Sequence, residues 1–222
     1  MKVLVFGATG LAGAGVLRAS LASSAVTEVR AIVRRSTGVR DPKLREILHA
    51  DYLDYEEIRG AFADVDACFF CLGVSVSQVP DEADYRRIHQ AFPLAAARML
   101  RAASPGASFH YLSGGRAALD SRWMWARVKA EAERDLMAEV GATCWRPGMI
   151  DGEPSASQPA LTRFLRPVLR AVFRPFPSLY VMNDDIGRAM LQATKQQTRN
   201  RIVENAELRA FADQFLLEAP EK

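Results

Sequence analysis

Short apolar runs alternate along this chain with longer stretches whose apolar residues recur every three or four positions. "KVLVF" at 2–6 is the first run and ends in glycine, and a helical pattern follows from about Leu11 to Leu21. "EVRAIVRR" (28–35) reads as a second strand, "EILHA" (46–50) as a short third, and "YEEIRGAF" as a short helix after it. "VDACFFCLG" (65–73) is the fourth strand. The spacing predicts a helix over 82–103, with Ile88, Phe92, Ala95, Ala96 and Met99 on one stripe. "SFHYLSG" (108–114) is the fifth strand, Ser121 to Val140 a helix with Gly141 just past its end, and "ATCWRPG" (142–148) the sixth strand.

Strands alternating with helices of this length predict βαβ units and a parallel sheet. Apolar runs without strict alternation, as in "ACFFCL", fit a sheet covered on both faces. The predicted fold is α/β, a doubly wound parallel sheet, which binds ligands beyond the carboxyl ends of its strands.

A chain of 222 residues, 49% of them hydrophobic, fits one domain over 1–222. Twenty-nine basic and 26 acidic residues leave a net charge of +3, a mixed surface that argues against a nucleic-acid protein. No stretch approaches the roughly 20 apolar residues of a membrane span. "MKVLVFGATG" lacks the long apolar core of a secretory segment, so a soluble, cytoplasmic protein with no membrane role is expected. Cys68, Cys71 and Cys144 form no disulfide framework. Cys68 and Cys71 lie three apart in a strand, on opposite faces, and read as small core residues; no metal site is expected.

The candidate chemistry begins at "GATGLAG" (7–13), which follows the first strand and opens a helix at Leu11. Gly7 suits the tight turn, Gly10 the close approach of backbone to a phosphate, and Gly13 the packing of helix on strand. Thr9 adds a hydroxyl, and the helix N-terminus offers N–H groups and a positive dipole end to a pyrophosphate. At the end of the second strand an acid would bind the ribose hydroxyls of NAD, whereas this chain has Arg34 and Arg35 and no acid before Asp41. Two guanidiniums suit the extra phosphate of NADP, so NADP(H) is favoured over NAD(H).

"GATGLAG", "AIVRR", "CFFCLG", "SGGRA", "WMWARVKAEAE" and "WRPGMI" occur in the order and at the spacing of the atypical short-chain dehydrogenase/reductases, which the whole chain resembles. "CLG", "RVKAE" and "RIVENAELRAF" are similar to the group containing the Tat-interacting oxidoreductase and its bacterial relatives. The resemblance implies a Rossmann fold, an NAD(P) cofactor and hydride transfer to a small carbonyl compound. It implies that Asp51 contacts adenine, and that Cys71, Leu72 and Gly73 line the nicotinamide-side ribose. It also implies that Ser113 holds the substrate carbonyl, although relatives often carry two serines where this chain has Ser113–Gly114.

One departure bears on the chemistry. The family's Tyr-x-x-x-Lys gives a proton to the carbonyl oxygen, its lysine lowering the tyrosine's pKa and holding the nicotinamide ribose. Here Lys129 is kept but Trp125 stands in place of the tyrosine. An indole N–H donates a hydrogen bond without titrating near neutral pH, so Trp125 can polarise a carbonyl but not protonate it. Trp125 also fits an apolar stripe with Val128, Ala132 and Leu136. Tyr111 shares a strand face with Ser113 and is expected to lie too deep to replace the acid.

Residues 151–182 break the alternation. Arg163, Arg166, Arg170 and Arg174 recur opposite an apolar face around Pro167, which predicts a substrate-covering lid, or an interface to a second copy or a protein partner over 159–180. "NDDIGRAMLQA" reads as a helix capped by Asn183. Two functions are consistent with these features: an oxidoreductase acting on a small-molecule substrate with impaired proton donation, or a non-catalytic NADPH-bound sensor or scaffold.

Overall fold

The computed structural model describes residues 1–79, 81–152, 176 and 178–218. The strands β1 (Lys2–Phe6), β2 (Glu28–Val33), β3 (Leu44–Leu48), β4 (Ala67–Phe70), β5 (Ser108–Leu112) and β6 (Thr143–Arg146) form one parallel sheet, to which β9 (Arg201–Glu204) adds an edge. Its order, β3-β2-β1-β4-β5-β6-β9, reverses direction between β1 and β4, which is the switch point of a doubly wound sheet. A second, two-stranded sheet pairs β7 (Met149–Asp151) with β8 (Tyr180–Met182). The Rossmann-like expectation is met, with β3 two residues earlier than the sequence suggests. The predicted lid over 151–182 lies, apart from its ends, outside the described residues, as does most of the 159–180 interface.

The central strands are largely apolar because they feed two cores. In β1, Val3 and Val5 face one cluster while Leu4 and Phe6 face the other. Against the first cluster pack α1 (Leu11–Ala22), α5 (Asn183–Lys195) and α6 (Asn205–Leu217). On the other face lie a 3-10 helix (Glu56–Phe62), α3 (Phe92–Ala103) and α4 (Met124–Val140). Each fully buried Leu, Ile or Phe contributes about 1.5–3 kcal/mol relative to exposure. Cys68 belongs to the second cluster and Cys71 packs on the first, so the C-x-x-C is split across the sheet. Burial pushes the Cys68 thiol well up and that of Cys71 to about 12, so neither is a ready thiolate.

Three local expectations need correction. The fully buried face of the 82–103 stretch is Tyr85, His89, Pro93, Ala96, Ala97 and Leu100, centred one position past the predicted stripe. Of that stripe Ala96 is buried, and Phe92, Ala95 and Met99 pack partly buried on the same core. A π-turn over Arg87–Ala91 joins α2 (Glu82–Arg86) to α3, and the His89 carbonyl there accepts from Tyr111 Oη at 2.8 Å. This bond also fixes Tyr111, fully buried as the sequence suggests, away from any role as an acid. α4 begins at Met124 rather than Ser121, with Trp123 extended before it, and ends as expected on Gly141 at φ 63. Asn183 does not cap α5, whose cap position is Met182. Instead its buried amide donates to the Leu11 carbonyl at 2.8 Å and accepts from Arg18 at 3.1 Å, tying α5 to the first turn of α1.

Candidate functional site

A cleft of about 500 Å³ opens at the switch point, beyond the carboxyl ends of β1, β2 and β4. The turn after β1 forms its floor, where the Gly10 amide donates to the Gly7 carbonyl at 2.9 Å. Gly7 has a φ of +76°, and a Cβ there would lie 2.6 Å from the Cys71 carbonyl oxygen. A Cβ on Gly13 would lie 2.1 Å from the Gly7 carbonyl oxygen, so α1 approaches β1 this closely only without a side chain. Gly10, the residue before α1, has no such conflict; its bareness opens the helix N-terminus to the cleft.

Eight of the sequence-predicted residues come together here: Gly7, Thr9, Gly10, Arg34, Arg35, Cys71, Leu72 and Gly73 all line the cleft. Arg34 and Arg35 are exposed and form no hydrogen bond or ion pair among the described residues. Leu11 and Gly13 lie behind the lining, Leu11 with its carbonyl engaged by Asn183. Asp51 stands outside it, exposed, with Oδ1 accepting from the Leu53 amide at 3.0 Å, so it closes a turn rather than capping a helix. The neighbouring Tyr52 presents the lining surface in its place.

Ser113 and Lys129 meet one strand further on, past the end of β5. Lys129 Nζ donates to the Ser113 carbonyl at 2.8 Å, and Ser113 Oγ is buried without a partner among the described residues. The last β4–β5 pair is Phe70↔Tyr111, and two residues beyond it on each strand stand Leu72 and Ser113. The switch-point cleft and the Ser113–Lys129 pair therefore adjoin. A second cavity, about 570 Å³, runs from Ser113 along the turn after β5 and the connection between β6 and β7. Trp125 is half-buried in the first turn of α4, one turn before Lys129 and on the same helix side.

Burial pulls the Lys129 ammonium down to about 8, and the Glu133 carboxylate one turn on pulls weakly the other way. Glu133 is itself buried and paired with Arg146 at 2.6 Å, and Arg146 reaches Glu204 at 3.0 Å. In the unfolded chain Lys129 titrates near 10.5. Below about pH 8 it is charged in both states, and folding carries its desolvation cost. Between about 8 and 10.5 the unfolded chain still holds the proton that the folded protein has released, so stability rises with pH there. Denaturant unfolding across this window should show that rise in the parent protein relative to Lys129→Met, which lacks the group. Parallel curves would mean that Lys129 titrates normally.

His89 is a site residue that the sequence pattern hides. It is buried against Tyr85 (ring centroids 4.1 Å apart), and burial, aided by the Lys129 charge, pulls its pKa down to about 3, so the ring is neutral. Nε2 lies 3.0 Å from the Val74 carbonyl and 3.3 Å from the Val74 amide; whichever tautomer serves them, Nδ1 is left without a partner. The ring fills the space where a side chain on Gly73 would be, 2.8 Å from its Cβ position. His89 therefore anchors the loop that forms one wall of the cleft. Gly15 is another: its absent Cβ admits the Asn183 backbone, 2.3 Å from where it would sit.

The pattern of the NmrA-like family matches residues 1–90. Protein FMP52, mitochondrial, of Eremothecium gossypii is 26% identical over 223 residues, covering 96% of this chain and 98% of that one. Protein fmp52, mitochondrial, of Emericella nidulans is 25% identical over 203 residues, 86% of each chain. A third relative, from Scheffersomyces stipitis, is likewise named mitochondrial, and these names overturn the cytoplasmic expectation. Among solved structures, the dTDP-glucose 4,6-dehydratase DesIV of Streptomyces venezuelae, with NAD and TYD bound, superposes with a TM-score of 0.70 at 16% identity, over 99% of this chain and 82% of that one. UDP-glucose 4-epimerase of Thermotoga maritima, with UDP-glucose, gives 0.68 at 18% identity, over 100% and 84%. Both share the fold of this chain.

Proposed function

We propose that this chain is an NADP(H)-binding protein of the atypical short-chain dehydrogenase/reductase type, acting on a small carbonyl compound with weakened proton donation. The observation that carries the reading is the cleft at the switch point, where a glycine-bounded turn, a helix N-terminus and two guanidiniums without partners among the described residues converge. Its residues suit a dinucleotide phosphate: a Cβ at Gly7 or Gly13 would close the cradle, and Arg34 and Arg35 can take the 2′-phosphate in paired hydrogen bonds. NAD or NADH in solved structures of the same fold, and the NmrA-like match over residues 1–90, support a nicotinamide dinucleotide here. The choice of NADP rests on Arg34 and Arg35 alone. The closer likeness to the Tat-interacting oxidoreductase group rests on "CLG", "RVKAE" and "RIVENAELRAF". The relatives' names support a mitochondrial setting.

A bound dihydronicotinamide would supply hydride to a carbonyl carbon, and the chain's own groups govern the rest. The Ser113 hydroxyl, buried and without a partner, is free to donate to the carbonyl oxygen. Lys129, held on the Ser113 carbonyl, keeps a positive charge beside the same place and can meet a ribose hydroxyl. Trp125 offers only an indole N–H, so the oxygen takes its proton from water. The absent titrating donor also supports the second reading, a sensor or scaffold that binds NADPH without turnover. In either case Arg34→Ser/Arg35→Ser should lose about thirtyfold or more in NADPH affinity, as two charged hydrogen-bond partners go, with NADH affinity within about threefold of the parent. Equal losses for both nucleotides in calorimetric titration would refute the assignment of the 2′-phosphate to this pair.

A further inference from the structure

The cavity beyond Ser113 carries one feature that dinucleotide binding leaves unused. Gly114 to Ala117 form a turn closed by the Ala117 amide on the Gly114 carbonyl at 3.3 Å. The Gly115 amide pins this turn to the Pro147 carbonyl at 3.1 Å. The third residue of the turn is Arg116, with a φ of +70°. That position favours glycine, because a side chain in the left-handed region crowds its own backbone. An arginine held in such strain, at the rim of a cavity, is the situation in which strain accompanies ligand binding.

The charges around the cavity single out the same residue. Arg146 is engaged by Glu133 and Glu204, and Lys129 by the Ser113 carbonyl. Arg116 is exposed and has no hydrogen-bond or ion-pair partner among the described residues. Pro147, Met149, Ile150 and Leu179 give the lining an apolar part. Ser113 and Arg116, three residues apart, thus both line a cavity that also offers apolar surface.

We infer that Arg116 reads an anionic group on the substrate, so that the compounds accepted are carbonyl compounds bearing a carboxylate at the end remote from the reacting carbon. This rests on the reductase reading for the carbonyl end only; the anion subsite is a property of Arg116 itself. Two aldehydes of one shape, 4-carboxybenzaldehyde and 4-methylbenzaldehyde, separate the two claims. Calorimetric titration of the NADPH-loaded protein measures binding, and NADPH oxidation measures turnover.

The protein should bind 4-carboxybenzaldehyde at least about tenfold more tightly than the methyl compound, the size expected of one charge-assisted pair. Arg116→Gly should abolish that preference, and Arg116→Lys should keep part of it, since charge survives but the planar fork does not. Arg116→Gly also relieves the backbone strain, so its melting temperature should equal or exceed the parent's, and lost binding then does not reflect a lost fold. A carboxylate preference that vanishes in Arg116→Gly supports the inference even where neither aldehyde is reduced, in which case the reductase reading fails alone. No preference in the parent, or a preference unchanged in Arg116→Gly, overturns it.

Discussion

Trp125→Tyr should raise the rate of NADPH-dependent reduction of a small aldehyde by about a hundredfold or more, the lower end of what a positioned general acid contributes. The expectation comes from what the site already holds. Lys129 is fixed on the Ser113 carbonyl at 2.8 Å, and Ser113 Oγ is buried and free. A phenol four residues before Lys129 would lie on the same side of α4, close enough for the ammonium to lower its pKa. Trp125 is only half-buried, so the smaller ring leaves little void in the core. Trp125→Phe is the control, since it removes the indole without adding an acid. Single-turnover NADPH oxidation by the three proteins decides the matter. A gain confined to the tyrosine variant supports a reductase with a weakened acid, whereas equal rates in all three would favour the sensor or scaffold.

Gly13→Ala should cost about 3 kcal/mol of stability and abolish measurable dinucleotide binding, the upper end of what an added methyl costs in a packed region. The added methyl would sit 2.1 Å from the Gly7 carbonyl oxygen and 2.6 Å from its carbonyl carbon, both backbone atoms that no rotamer change can clear. Either α1 moves outward or the Gly7–Gly10 turn does, and that turn is the floor of the cleft. Outward movement is resisted by the Asn183 bond to the Leu11 carbonyl and by the tight crossing at Gly15. Gly60→Ala provides the comparison, because nothing lies within 4 Å of its Cβ position. Denaturant midpoints and NADPH titration of both variants give the answer; a Gly13→Ala protein as stable as Gly60→Ala would show that the close packing is not required.

The sheet and the glycine turn after β1 were legible in the sequence because their signals are local. An apolar run ending in glycine before a helix pattern has few other meanings, and β1, α1 and the Gly7–Gly13 spacing follow from it directly. The Arg34–Arg35 pair was legible for the same reason: the strand before it fixes where its side chains emerge. What stayed hidden depends on tertiary packing. His89 looks like a polar interruption of an apolar stripe, and only the π-turn and the Tyr111 bond to its carbonyl turn it inward. Asn183 carries the composition of a cap, yet the gaps at Gly15 and Gly152 draw its side chain between helices. Arg116 reads as a surface residue until its positive φ and its place beside the Ser113 cavity are known. Asp51, expected near a bound adenine on the strength of resemblance, stands outside the cleft lining, with Oδ1 closing a turn with Leu53.

The most direct test of nucleotide binding at the switch point is calorimetric titration of the nucleotide-stripped protein with NADPH and NADH in parallel. Tight binding of NADPH at one site per chain, with NADH at least about tenfold weaker, is the predicted result, since only NADPH has the 2′-phosphate for Arg34 and Arg35. Binding of neither nucleotide would contradict it and would leave the fold without its proposed cofactor.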